Sequence, residues 1–226
     1  MRKKKSFFLF GSIAVILFIA FFLYMKLRSS PESGEDSPEK HALRITPEPS
    51  REDHVLWEGS DRAVVVEYFD IDCKYCRALF LKEDQLPDNI KKNVRLIYRL
   101  FPLLDLYPRS LERAIIAECV ASESGDSIFF DFLRSVTRSY QQDEDKNDWI
   151  MNIANQFVSD HGHFQECVSK KLTLEKINRF RTGGYDAGIF SVPSFLVAQQ
   201  GMPVKRFDLL GPITGSNLLK AFADVK

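Results

Sequence analysis

Two cysteines separated by two residues, Cys73 and Cys76, follow the apolar run Ala63–Phe69 and open a predicted helix. At a helix start, unpaired backbone N–H groups and the positive end of the helix dipole stabilise a thiolate on the first sulfur. Such a thiolate makes the disulfide easier to reduce and therefore more oxidising. A zinc site needs two more ligands, and the sequence has no second CxxC and no HxxxH. The pattern therefore indicates a redox-active dithiol.

An uncharged apolar segment, residues 7–25, lies near the N-terminus. At about 1.5 Å per residue a helix over this segment is roughly 28 Å long, close to the hydrocarbon thickness of a bilayer. A cleaved signal peptide is the alternative, but no A-x-A site follows, so we predict an uncleaved transmembrane signal anchor. Four basic residues in the N-terminal segment 1–6 place that segment in the cytoplasm and the rest of the chain outside it, where disulfides persist.

The segment that follows the anchor, residues 26–52, is rich in Ser, Pro, Glu and Asp and has few large apolar residues. A segment of this composition cannot bury a core, so we predict a flexible tether. Residues 53–226 remain, enough for one compact domain. The chain has 31 basic and 31 acidic residues, so its net charge gives no indication of nucleic-acid binding.

Within that domain the pattern predicts strand, helix, strand, a long helical stretch, two strands and a helix. Ala63–Phe69 is apolar on both faces, as a central strand should be. The predicted helix that opens at Cys73 runs to about Leu86 and breaks near Pro87. The other predicted elements are a strand over 94–99, helices with apolar residues at i and i+4 between 111 and 157, strands over 194–198 and 204–207, and a closing helix over 216–223.

This order of elements resembles the thioredoxin fold of the DsbA-like thiol:disulfide oxidoreductases. Three segments look like family signatures: 67–76 around the CxxC, 99–103, and 188–195 with Val192-Pro193. The resemblance implies an α/β fold over residues 53–226, with a helical subdomain inserted at about 105–187. It also implies an enzyme that needs no metal or organic cofactor, because its redox centre is the disulfide itself.

The resemblance assigns roles to the matched residues. Cys73 is expected to be the exposed sulfur that accepts attack, while Cys76, one turn into the helix, is shielded. Pro193 is expected to be cis, so that Val192 presents backbone groups to a bound peptide. Glu67 matches a buried acid beneath the active site, near Cys76, where a desolvated carboxylate could relay protons. The alternative for Glu67 is a strand-end residue that reaches solvent.

The residues between the cysteines depart from the best-known oxidising members, which carry Pro-His where this chain has Lys74-Tyr75. Lys74 favours a Cys73 thiolate by its charge, but a solvent-facing lysine is screened. A dipeptide that ends in Tyr is similar to that of the isomerase branch. The isomerases, however, carry a dimerisation domain where this chain has a tether, and usually Thr where it has Val192.

The other two cysteines, Cys119 and Cys167, lie on apolar faces of predicted helices in the insert. They are either free buried thiols or a pair, and an even count in an oxidising compartment favours pairing. A disulfide closing a loop of about 49 residues would contribute roughly 4 kcal/mol in the chain-entropy model. Because several DsbA-like proteins have a disulfide in the helical domain, we predict a structural one here. His161 and His163 lack a third ligand nearby, so we interpret them as helix-start residues rather than a metal site.

These features predict a single-pass protein of the bacterial cytoplasmic (inner) membrane whose catalytic domain lies on the periplasmic or extracytoplasmic side. It would oxidise cysteines of unfolded or partly folded exported proteins, and a DsbB-like, quinone-coupled membrane protein would accept the electrons. One alternative is a disulfide reductase or isomerase that uses the same residues. Another is a non-catalytic copper-binding or assembly module of the envelope.

Overall fold

The computed structural model describes residues 50–60, 63–140, 147–199 and 204–208. The predicted anchor, the predicted tether up to residue 49 and the predicted closing helix lie outside these ranges. Within them, no helix combines the length and the apolar character that crossing a bilayer requires.

Five strands of the described chain form one mixed sheet in the order β1-β3-β2-β4-β5. Strands β2 and β3 are parallel, and every other neighbouring pair is antiparallel. All seven residues of the central strand β2 are buried, as its apolar run predicts. Strand β1 was missed by the sequence analysis. The strands are β1 His54–Glu58, β2 Ala63–Phe69, β3 Arg95–Leu100, β4 Ser194–Gln199 and β5 Lys205–Asp208.

Six helices complete the described part of the fold. The first is shorter than predicted because it ends at Glu83, and Pro87, in extended backbone, then begins a separate short helix. Proline disfavours helical backbone at the residue before it, which accounts for the break. The helices are α1 Lys74–Glu83, α2 Asp88–Lys91, α3 Ser110–Arg138, α4 Asp148–Ala154, α5 His161–Lys170 and α6 Leu174–Asp186.

Apolar side chains cover both faces of the sheet. On one face Val65 and Phe69 join the main core with residues of α1, α3, α4 and α5. On the other face Tyr68 and Phe101 belong to a smaller cluster. Helix α6 approaches this second face so closely that a Cβ atom on Gly184 would lie 2.5 Å from the Phe101 ring. Only glycine allows this contact between the helix and the sheet.

The predicted insert contains helices α3 to α6. Helix α3 kinks at Gly125, whose φ of 81° is readily adopted only by glycine. The predicted disulfide is present: Cys119 on α3 bonds Cys167 on α5, with an S–S length of 2.01 Å and a Cα–Cα distance of 5.9 Å. It therefore fastens two helices of the insert to each other. His161 is the first residue of α5, and the His163 backbone N–H donates to the N-cap Asp160.

A buried charged cluster joins β1 to the insert. His54 stacks on the Phe129 ring, and its two ring nitrogens lie 3.0 Å from Glu118 Oε2 and 2.8 Å from Asp126 Oδ1. Lys176 of α6 lies 2.6 Å from the same Glu118 oxygen. Burial lowers the pKa of His54, but the Glu118 charge and the hydrogen bonds to both carboxylates raise it overall above its usual value. The first strand is thus held to α3 through His54, and Glu118 of α3 pairs in turn with Lys176 of α6.

Candidate active site

Cys73 is the N-cap residue of α1, with extended backbone angles of φ −72° and ψ 112°. Its sulfur accepts a hydrogen bond from the Cys76 backbone N–H at 3.3 Å. The pKa of the Cys73 thiol is lowered, chiefly by a hydrogen bond from the Cys76 side chain and also by the Cys76 and Tyr75 backbone N–H groups, although burial opposes this. The helix start therefore stabilises a Cys73 thiolate, as the motif predicts.

Cys76 has the opposite environment, one turn into the helix. Its side chain is fully buried. Burial, its hydrogen bond to Cys73 and the negative charge on Cys73 raise the pKa of Cys76 well above its usual value. The two cysteines are unbonded thiols in this structure. In the dithiol form the anion therefore resides on Cys73, while Cys76 keeps its proton.

The expectation that Cys73 is exposed is wrong, since only 2% of the residue is accessible. The loop before β4 packs against it, and the Cys73 thiol donates to the Val192 carbonyl oxygen at 3.6 Å. The two residues between the cysteines are exposed instead. Tyr75 is 57% exposed, and the Lys74 ammonium lies 5.0 Å from the centre of the Tyr75 ring.

The Val192–Pro193 peptide bond is cis, as the family resemblance implies. Strand β4 begins directly afterwards and pairs with β2, whose C-terminal end leads to Cys73. This pairing brings Val192 beside the cysteine although 119 positions separate them in sequence. A backbone carbonyl therefore faces the reactive sulfur.

Glu67 lies beneath the site and is completely buried in the centre of β2. Neither of its carboxyl oxygens makes a hydrogen bond within the described residues. Burial raises its pKa well above the usual value, and the charge of Glu83 raises it further. The Glu67 charge in turn contributes to the raised pKa of Cys76. The predicted buried acid thus lies within electrostatic reach of the buried thiol.

Sequence reasoning missed the acid that accompanies Glu67. Glu83, on α1, is fully buried and accepts a hydrogen bond from the Tyr98 hydroxyl. Tyr98 is the register partner of Glu67 across β2 and β3. Burial also raises the pKa of Glu83. Its position in the sequence could have indicated this burial. Glu83 follows Cys76 by seven positions, so both lie on the same, buried face of the helix.

Asp70 was also missed, and it shapes the loop between β2 and α1. Its carboxylate accepts backbone N–H groups of Asp72 and Leu103, each at 2.8 Å. Its backbone oxygen accepts the Cys73 N–H at 3.1 Å. Burial raises the pKa of Asp70 to about 6, and its negative charge raises the pKa of Cys73. Asp70 therefore joins the loop that carries Cys73 to the loop that follows β3.

Known proteins share this architecture at low sequence identity. BcfH of Salmonella enterica Typhimurium gives a TM-score of 0.66 at 15% identity, covering 97% of this chain and 92% of its own. Oxidised BdbD from Bacillus subtilis gives 0.63 at 16% identity, covering 78% of this chain and 95% of its own. The thiol-disulfide exchange protein alpha-DsbA2 from Wolbachia pipientis gives 0.62 at 19% identity, with 84% and 94% covered.

A family model provides the evidence for membership. No curated protein sequence gives a significant match. The model described as thioredoxin, however, matches residues 51–207, most of the chain, and spans both cysteines of the CxxC and the cis-proline. The chain therefore belongs to the thioredoxin family, and it has the fold of the DsbA-like thiol:disulfide oxidoreductases.

Proposed function

We propose that this protein oxidises cysteines of exported proteins by dithiol–disulfide exchange at Cys73 and Cys76. The observation that carries the proposal is the opposite environment of the two sulfurs. The pKa of Cys73 is lowered at the helix start, whereas that of the buried Cys76 is raised. A thiol with a lowered pKa leaves readily from a mixed disulfide, which favours passing the disulfide on to a substrate.

The exchange proceeds in two steps. A substrate thiolate attacks Cys73 Sγ, the Cys73–Cys76 bond breaks, and Cys76 departs and takes up a proton. A second substrate thiolate then attacks the substrate sulfur of the mixed disulfide and expels Cys73 as a thiolate. Two electrons pass to the enzyme, the substrate gains one disulfide, and the enzyme is left as a dithiol. The Val192 carbonyl, which lies 3.6 Å from the Cys73 sulfur, would accept a backbone N–H of the bound substrate.

Each turnover leaves the enzyme reduced, so an electron acceptor is required. A quinone-coupled membrane protein of the DsbB type fits this requirement. An anchor over residues 7–25 and a tether over 26–52 would hold the catalytic domain at the extracytoplasmic face of the bacterial inner membrane, within reach of that partner. The description of the Wolbachia relative as a thiol-disulfide exchange protein supports the same chemistry here.

The direction of exchange is tested by trapping the redox state in cells that produce the full-length chain. Acid quenching followed by alkylation with a mass-tagged maleimide distinguishes a free Cys73–Cys76 dithiol from a disulfide. We expect most molecules to be oxidised at this pair. The variant C73S/C76S is the control, because it fixes the position of a species without the redox pair. A pair that is mostly reduced would instead support the reductase or isomerase function.

A further inference from the structure

A buried ion pair connects the helical insert to the residue directly before Cys73. The Asp72 side chain is 3% exposed, and its Oδ1 accepts hydrogen bonds from Arg113 Nη1 and from the Tyr140 hydroxyl, the latter at 2.9 Å. Arg113 lies in the first turn of α3, and Tyr140 follows the end of the same helix. The insert thus supplies both donors to a carboxylate of the active-site loop.

Arg113 is held firmly in this position. Its side chain is 3% exposed, its Nε donates to Asn147 Oδ1 at 3.2 Å, and its guanidinium lies 5.6 Å from the Trp149 ring. A second contact runs from the active-site helix. Arg77 stacks on the Tyr140 ring at 3.3 Å and donates to the Ile71 carbonyl at 2.7 Å. The insert and the CxxC loop therefore meet through charged and aromatic groups in fixed geometry.

The charge of Asp72 affects the two redox states of the cysteine pair differently. The reduced form carries a thiolate on Cys73, one residue away, whereas the disulfide carries no charge there. A buried carboxylate that lacks its cation repels that thiolate, and burial weakens the screening by water. Any such repulsion destabilises only the reduced form, so it makes the disulfide less oxidising. A cation paired with Asp72 cancels the repulsion.

We propose that Arg113 is a positioning residue of the redox site, which neutralises Asp72 and thereby keeps the Cys73–Cys76 disulfide oxidising. This inference rests on the proposed exchange chemistry and identifies the helical insert as the element that sets the oxidising strength of the disulfide. Other charged or titratable groups lie close to Cys73 in sequence or interact with it electrostatically, and all of them remain unchanged in the variants below. They are Glu67 of β2, Asp70 of the loop, Lys74, Cys76 and Arg77 of α1, and Tyr107 after β3.

The test compares D72N, R113M and the double variant D72N/R113M in the purified full-length chain. Two quantities are measured: the Cys73 pKa from thiolate absorbance near 240 nm, and the equilibrium constant for reduction of the Cys73–Cys76 disulfide by glutathione. For R113M we expect a higher Cys73 pKa and an equilibrium constant about tenfold smaller, equivalent to about 30 mV for a two-electron couple. For D72N we expect shifts in the opposite direction, because a negative charge is removed. The double variant should lie within about twofold of the wild type.

The opposite signs separate an electrostatic role from a structural one. If the pair merely held the loop in shape, both single variants would shift the constant in the same direction and the double variant would not restore it. That result would overturn the inference. R113K keeps the charge and should stay closer to the wild type than R113M. D72N still reports on the charge if R113M fails to fold. A wild-type protein with no reversible couple in glutathione would instead overturn the proposed function itself.

Discussion

At the scale of single residues, a cluster of two buried acids and a tyrosine hydroxyl lies beneath the active site. Glu67 and Glu83 are both completely buried, and Tyr98 donates to Glu83. Ionising both of two neighbouring carboxylates in a low-dielectric interior costs free energy. This pair therefore retains a proton to a higher pH than an exposed acid does. That proton lies within electrostatic reach of Cys76, the thiol that must lose its own proton before it can attack.

Substitution of these acids should change the step in which Cys76 attacks a mixed disulfide on Cys73. In E67Q the proton acceptor is lost, and we expect release of glutathione from the Cys73 mixed disulfide to slow about tenfold or more. In E83Q the charge that raises the pKa of Glu67 is lost, so Glu67 ionises at lower pH. The rise of the release rate with pH should therefore move to lower pH in E83Q. Rapid-quench measurement of released glutathione between pH 5 and 8 reports both effects.

The exposed acid Glu166 provides the matched control, because it pairs only with Lys170 on the surface of α5 in the described structure. E166Q should leave both the rate and its pH profile as in the wild type. A pH profile of E83Q that coincides with that of the wild type would show that the second acid has no influence on Glu67.

At the scale of elements, the His54 cluster is what joins the edge strand β1 to the insert. The folded-state pKa of His54 is raised above 6.5, so its contribution to stability is complete below pH 6.5 and is lost as pH rises through the folded-state pKa. The pKa values of Glu118 and Asp126 are lowered, so their contributions are present above their ordinary values and disappear as pH falls through the lowered ones. The cluster therefore stabilises the fold most between these limits.

Replacing His54 should remove the loss of stability that accompanies rising pH. H54Q is expected to reduce the free energy of unfolding by about 2 kcal/mol near pH 6, since the buried Glu118 carboxylate and the more exposed Asp126 carboxylate both lose a charged donor. The loss should be smaller at pH 8, because the contribution of the charged histidine fades as pH rises through its folded-state pKa. Urea unfolding followed by circular dichroism at both pH values measures the difference. H163Q is the control, because His163 is half exposed beside Glu123. An H54Q deficit that is equal at both pH values would contradict a protonated His54.

The elements that could be predicted are those whose signal is local. Ala63–Phe69 was predicted as the central strand because both of its faces are apolar, and helices α3 and α4 of the insert were predicted from their i, i+4 spacing. Strand β1 was missed because it is short, contains a bulge and pairs only with β3, which follows it by some 40 positions. Glu83 was missed because a charge near the end of a helix is usually solvated, whereas in the folded protein Glu83 is buried and bonded to Tyr98.

At the scale of the whole molecule, three distant segments meet around Cys73 and the residue before it. The loop Asp70–Asp72 presents Cys73 at the start of α1, β4 brings the Val192 carbonyl beside it, and α3 brings Arg113 to Asp72. The CxxC motif identified the reactive residues from sequence. Their burial and charge balance depend on contacts made over 41 and 119 positions, which no local pattern encodes.

The reduction potential of the Cys73–Cys76 pair tests this arrangement most directly. The full-length protein is equilibrated in a glutathione series, and the fraction oxidised is read by alkylation, while the Cys119–Cys167 disulfide stays intact. A thiolate stabilised on Cys73 predicts a potential above about −200 mV, closer to the value of about −120 mV for DsbA than to about −270 mV for thioredoxin. A potential near −270 mV or below would contradict an oxidising role and would identify the protein as a reductase.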